Sequence, residues 1–292
     1  MNPISPTHLE DIQPFGHVQS IKVSDTTSIL TPGSGFIKEY DFSLNAYTGC
    51  SFGCAYCYVP MIRFRGPHRK EHGEWGEYVH LKRNAIAVIK RQTPKLTGKT
   101  VYMSPVTDPY QPVEKKAEIT RGVLAVLVGS GVQLTVQTRS PLVVRDMDLL
   151  KELRARVYFT ISTDDPEWKS RYERFCPSNT ARFKAIRTLT DAGITVVATC
   201  CPLFPLLDPL AFADRIKEVG VSWAVIQKPH DHKVGATTPA LVLAELKAHG
   251  WTHDEYRRVY DLLVERFAPL PVYEEKVGFQ PIVPHLSIEL LA

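Results

Sequence analysis

From residue 42 onward the chain alternates short runs rich in Val, Ile, Thr and aromatic residues with longer amphipathic stretches, and no other feature restricts its fold as much. Strands are predicted at Phe42–Tyr47, Thr100–Met103, Gln133–Gln137, Val157–Ser162, Thr195–Thr199 and Trp223–Ile226. Helices are predicted between them at Val79–Arg91, Ala117–Val128, Arg145–Arg154, Asn179–Ala192 and Leu210–Val219. Gly129 follows the second of these helices and Gly193 the fourth, and glycine ends a helix at little cost because it enters the left-handed region freely. Strands joined by helical crossovers of this length run parallel, so the pattern implies a parallel α/β sheet. An incomplete barrel and an open doubly wound sheet satisfy it equally.

Outside this block the alternation lapses. Residues 1–40 are rich in Pro, Ser, Thr and Gly and read as an arm packed on the core. Residues 228–250 read as a loop or lid with a short helix, and His230, Asp231 and His232 within it as solvated loop residues rather than metal ligands. Thr252–Phe267 is predicted as a final helix, with Thr252 and Glu255 forming a capping box, while residues 271–292 hold too many prolines for a helix. The expected division is an N-terminal arm over 1–40, a core over 41–230 and a C-terminal extension over 231–292.

With 44% hydrophobic and 23% charged residues, the 292-residue chain has a globular composition, which excludes disorder and coiled coil. Its longest apolar runs, such as 194–198 and 123–128, fall far short of the ~20 residues a membrane helix needs. No signal-peptide pattern opens the sequence, so a cytoplasmic protein with no membrane contact is expected. The formal charge of +4 is unevenly placed, because residues 61–92 carry eight Lys and Arg against three Glu. A phosphate-bearing or nucleic-acid substrate is compatible with that patch, and so is an ordinary solvated face.

Six cysteines are too few for a disulfide framework at this length, yet Cys50, Cys54 and Cys57 crowd into eight residues directly after the first strand. Gly49 and Gly53 let the backbone fold tightly around whatever the thiolates hold. A structural zinc wants four protein ligands, and no nearby fourth Cys or paired His completes a set. An iron–sulfur cluster of the [4Fe–4S] type is satisfied by three thiolates, with one iron left open to a small molecule.

Three cysteines at this spacing, on the loop after the first strand of a βα chain, resemble the radical S-adenosylmethionine (SAM) superfamily. The resemblance implies a partial (β/α)6 TIM-like barrel and a [4Fe–4S] cluster whose open iron binds SAM. It further implies reduction by an external donor such as ferredoxin or flavodoxin, and cleavage of SAM to a 5′-deoxyadenosyl radical. Within the superfamily the chain is similar to the spore photoproduct lyase-related branch. The segments that carry this likeness are Trp75–Asn84, Met103–Glu114, Thr138–Ser140 with Arg145–Asp146, Ser162–Asp165, and Glu173–Arg182 leading into Leu189–Ile194. Carried over by position, Thr107 faces SAM, Arg139 pairs with its carboxylate, Ser162 contacts its ribose and Tyr56 its adenine. Tyr56 and Tyr58 match the tyrosines flanking the third cluster cysteine.

One departure bears on chemistry. The lyase has a hydrogen-donor cysteine three residues before the position of Asp108, and this chain has Pro105 there. Cys200 and Cys201, predicted to close the fifth strand facing the site, are the spare thiols that would replace it, while Cys176 is assigned no role. The competing expectation is a nucleic-acid-binding or scaffold protein whose cysteine loop holds a structural metal.

Overall fold

The computed structural model describes residues 9–63, 73–230 and 238–281. Its strands are β1 (Ser20–Ser24), β2 (Leu30–Pro32), β3 (Phe42–Leu44), β4 (Tyr47–Thr48), β5 (Tyr78–Lys82), β6 (Thr100–Met103), β7 (Gln133–Thr138), β8 (Arg156–Thr160), β9 (Val196–Cys200), β10 (Trp223–Ile226) and β11 (Val272–Glu274). The main sheet has the order β11-β10-β9-β8-β7-β6-β3-β2. Every neighbouring pair in it is parallel except β2 with β3. The sheet is open, with β11 and β2 at its edges.

Side-chain alternation along the strands gives the sheet of this partial barrel two packed faces. Val101, Met103, Val136, Val157, Phe159, Val196, Ala198 and Ile226 point to one face, where they pack on the helices Ile119–Leu127, Asn179–Asp191, Pro209–Glu218 and His253–Phe267 in one large core. Their neighbours Tyr102, Tyr158, Val197 and Val225 point to the other face and form a small second core with Tyr40 and Phe279. The tyrosine hydroxyls there are satisfied, Tyr102 by Gln137 Oε1 at 2.7 Å and Tyr158 by the Gly278 carbonyl at 3.0 Å. Among the described residues these four α-helices lie on one face, while the second face is covered by the 3₁₀ turns Gly35–Ile37 and Glu275–Phe279, which separates this fold from a doubly wound sheet.

Several elements differ from expectation. The predicted helix Val79–Arg91 is strand β5 followed by a helix over Ala85–Gln92. Tyr78, Val79 and Leu81 are buried in β5, which pairs in parallel with β1 and antiparallel with β4 as a separate three-stranded sheet. The predicted first strand is therefore split, β3 joining the main sheet and β4 the small one. Ala117–Val128 is two helices, Glu114–Ala117 and Ile119–Leu127, broken where Glu118 takes φ +49°. The buried Glu114 carboxylate accepts the Thr120 and Arg121 N–H groups at 3.0 and 3.2 Å, which caps the second helix and fixes the break. Arg145–Arg154 begins as a 3₁₀ turn over Pro141–Asp146 and becomes an α-helix only at Met147.

Only the N-cap half of the expected capping box forms: Thr252 Oγ1 accepts the Glu255 N–H at 3.3 Å, while the Thr252 N–H goes to the Gly250 carbonyl and the Glu255 carboxylate pairs with Arg258. The proline-rich tail adds β11 to the main sheet, and the residues before 40 add β2 to the main sheet and β1 to the small one. Among the described residues no helix is long and apolar enough to cross a membrane. Arg65, Arg69, Lys70 and Glu71 of the basic patch, the side chain of Arg63, and Asp231 and His232 lie outside the described residues.

Candidate metal and cofactor site

The cysteine loop leaves β4 through Gly49, at φ +83°, where a Cβ would meet the Tyr78 carbonyl oxygen at 2.4 Å. At Gly53, φ +52°, a Cβ would stand 3.0 Å from the Gly76 Cα. Only glycine allows both the conformation and the approach of this loop to its neighbours. Two turns close it, Gly53 N–H to the Cys50 carbonyl at 3.2 Å and Cys57 N–H to the Cys54 carbonyl at 3.0 Å. Thr107 Oγ1 donates to the Gly49 carbonyl at 2.5 Å, and Gln111 Oε1 accepts the Ser51 N–H at 2.9 Å. The segment after β6 thus clamps the loop from the side.

Cys50 and Cys54 are buried, Cys57 half-buried, and all three are free thiols. All three line one cavity of about 1360 Å³. Asn45, Ser104, Arg139, Thr160, Cys201, Gln227 and Glu274, each at or just past the carboxyl end of a parallel strand, line the same cavity. A barrel-type sheet gathers its variable strand ends at this rim. Burial pushes the Cys57 thiol up to about 11 and moves Cys50 in the same direction. A metal held by these sulfurs would have to displace their protons. Among the described residues no three His, Cys, Asp or Glu side chains are grouped to hold a single metal ion. Three thiols on one loop, beside a space far larger than one ion needs, suit a multi-iron cluster with one iron left open to a ligand.

Beside the loop lies a buried charge network that joins Arg139 and Tyr56 to Glu173 and Arg182, two residues to which the sequence assigned no role. Glu173 accepts Arg139 Nη1 at 2.8 Å on one carboxylate oxygen and Arg182 Nη2 at 2.6 Å on the other. Tyr56 Oη donates to Glu173 at 2.5 Å and accepts from Arg139 Nη1 at 2.5 Å. Burial alone would raise the Glu173 carboxyl, but Arg182, Arg139 and Tyr56 hold it down to about 2. Asp108 ties the ends of two strands together, accepting Thr138 Oγ1 at 2.8 Å and the Arg139 N–H at 3.0 Å.

Residues 44–223 match the family model described as the radical SAM superfamily. The chain belongs to the radical SAM superfamily. It is 37% identical over 176 residues to an uncharacterized protein of Methanocaldococcus jannaschii, an alignment covering 60% of this chain and 62% of that one. It is 33% identical over 206 residues to an uncharacterized protein of Acidianus two-tailed virus, covering 68% of this chain and 66% of that one. The matched region thus spans under two thirds of each of these relatives. Among solved structures, spore photoproduct lyase complexed with dinucleoside spore photoproduct shares the fold, with a TM-score of 0.57, 13% identity, and coverage of 87% of this chain and 81% of that one. A lyase variant with bound AdoMet and the same dinucleoside superposes equally, at 0.57 and 14% identity over 87% and 80% of the two chains.

In this radical SAM fold the residues singled out in the sequence divide into two groups. Tyr56, Tyr58, Thr107, Arg139 and Cys201 line the cavity with the three cysteines. Ser162 and Cys200 do not. Ser162 is fully buried, its Oγ 3.2 Å from the Tyr56 hydroxyl, so it stands behind that residue rather than on the cavity wall. Cys200 is fully buried on the helix-covered face of β9, because successive residues of a strand point to opposite sides, and only Cys201 turns to the cavity. The hydroxyl of Tyr58 donates to the Pro105 carbonyl at 2.6 Å.

Proposed function

We propose that this chain is an enzyme that carries a [4Fe–4S] cluster on Cys50, Cys54 and Cys57, binds SAM at the iron they leave open, and acts on a substrate in the strand-end cavity. The observation that carries this reading is the convergence of three free thiols and the carboxyl ends of the parallel strands on one cavity. Cluster and SAM, when bound and reduced by an external donor such as ferredoxin or flavodoxin, supply a 5′-deoxyadenosyl radical.

The chain's own residues hold these groups in place. Thr107 and Gln111 fix the backbone of the cysteine loop. Arg139 supplies the positive charge for the SAM carboxylate, to which a guanidinium binds bidentately. Its recorded side-chain bonds run through Nη1 alone, to Tyr56, Glu173 and Cys176. Glu173 does not neutralise the site, because Arg182 supplies a second guanidinium and the trio keeps a net positive charge. Tyr56 offers its ring to the adenine, and Ser162 acts through the Tyr56 hydroxyl.

The substrate chemistry is spore photoproduct lyase-like in plan and different in its last step. Pro105 occupies the place of the lyase's donor thiol, and Tyr58 stands hydrogen-bonded to it. Cys201 is the cysteine on the cavity wall outside the cluster motif, so it is the thiol placed to return a hydrogen atom. This arrangement suits hydrogen-atom abstraction from an organic substrate that fills the cavity rather than full lyase activity on DNA.

Anaerobic reconstitution with iron and sulfide tests the cofactor. Four irons per chain with the broad visible absorbance of a cluster, lost in Cys54→Ala, are expected. One zinc per chain and no bound iron would return the loop to a structural role.

A further inference from the structure

Cys176 stands outside the cysteine motif, in the turn between the helices Pro166–Tyr172 and Asn179–Asp191, and it is buried. The turn is fixed from both sides. The Cys176 N–H donates to the Glu173 carbonyl at 2.9 Å, and Lys169 Nζ donates to the Cys176 carbonyl at 3.3 Å. This holds Cys176 Sγ at 3.5 Å from Cys54 Sγ and 4.0 Å from Arg139 Nη1, with the Phe52 carbonyl oxygen at 3.9 Å.

The direction of each contact follows from which groups carry protons. A guanidinium only donates, so the Cys176 sulfur accepts from Arg139. A cysteine sulfur bound to iron has no proton to give, so between Cys54 and Cys176 only Cys176 can donate. The Phe52 carbonyl competes for that proton from further away, and a ligating thiolate carries more negative charge than a carbonyl oxygen. The result is a chain from the Arg139 guanidinium through the Cys176 thiol to the Cys54 sulfur, in which each bond polarises the next.

We propose that Cys176 is a positioning residue that donates its S–H to the Cys54 sulfur and, supported by Arg139, raises the reduction potential of the cluster. The inference rests on the reading that Cys54 is a cluster ligand. A hydrogen bond to a ligating sulfur draws electron density off it, which favours the reduced state with its extra negative charge. It also links the guanidinium assigned to the SAM carboxylate, through Cys176, to the Cys54 sulfur.

A potentiometric titration followed by electron paramagnetic resonance, on reconstituted protein without SAM, compares the parent with Cys176→Ala and Cys176→Ser. At equal iron and sulfide content, the Ala variant is expected to reduce at a lower potential, with Ser between the two because it keeps an O–H donor. If the Ala variant loses its iron, the comparison of Ser with the parent decides alone, by the same downward shift. An Ala or Ser midpoint equal to the parent's, or a Ser midpoint as low as Ala's, overturns the role of the thiol proton while the cluster reading stands. A parent that assembles no cluster removes that reading, and the proposal with it.

Discussion

Replacing Glu173 by Gln keeps the shape of the side chain and removes the charge on which two buried guanidinium groups converge. Arg182 is 0% exposed and Glu173 1%, and they meet at 2.6 Å. The other recorded acceptor for Arg182 is the Thr160 carbonyl at 3.3 Å, so the variant leaves a buried cation with neutral partners only. Removing one member of such a pair costs about 3–5 kcal/mol, and the retained amide oxygen places this case near the lower end. The acid limb carries a second signature. The folded carboxyl is held at about 2 against an ordinary 4.5, so the unfolded chain takes up the proton first as pH falls. Stability from this group is present in full above about 4.5 and is lost on the way down to about 2, a change of about 3 kcal/mol. Urea unfolding followed by circular dichroism, for parent and Glu173→Gln, reads both effects. The gap between them should be about 3 kcal/mol at neutral pH and close progressively below pH 4.5. A gap under about 1 kcal/mol that does not change with pH refutes the reasoning.

Gly49→Ala forces a Cβ to within 2.4 Å of the Tyr78 carbonyl at φ +83°, and is expected to lower the iron bound on reconstitution; full loading would show that this approach does not shape the loop. Arg139→Ala should weaken SAM by about 2–4 kcal/mol with the iron content unchanged, as read by equilibrium dialysis, and unchanged affinity would remove Arg139 from the SAM site. With the dinucleoside spore photoproduct as substrate, repair should be slow or absent while 5′-deoxyadenosine accumulates. Whatever repair remains should vanish in Cys201→Ala and persist in Cys200→Ala, and fast repair in Cys201→Ala would contradict the assignment.

The cysteine loop was legible because spacing, residue type and the two glycines all sit within one short segment. The parallel core was legible for the same reason, since strands such as Thr100–Met103 and Trp223–Ile226 and the helix Asn179–Asp191 carry local patterns with clear stops. Strand β5 was not, because five residues running directly into a helix leave too little sequence for a period of two to stand out. Its identity is set by β1 and β4, partners far along the chain. The strand β11 was hidden by the prolines around it, and the inward turn of Cys201 rather than Cys200 depended on a strand boundary known only to within a residue or two. Glu173, Arg182 and Cys176 escaped because nothing local marks a buried ion pair or a thiol that meets Cys54 from 122 residues away. The one local signal is that Glu173–Arg182 lies in a segment that resembles the family.

If the three cysteines of one loop hold a cluster that acts on SAM, the reduced protein must cleave SAM. Anaerobic, reconstituted protein is mixed with dithionite and SAM, and the products are separated by chromatography and mass spectrometry. Formation of 5′-deoxyadenosine and methionine by the parent, and its loss in each of Cys50→Ala, Cys54→Ala and Cys57→Ala, is the predicted result. SAM left intact by a parent that holds four irons, or 5′-deoxyadenosine formed at the parental rate by any one of the three variants, would contradict it.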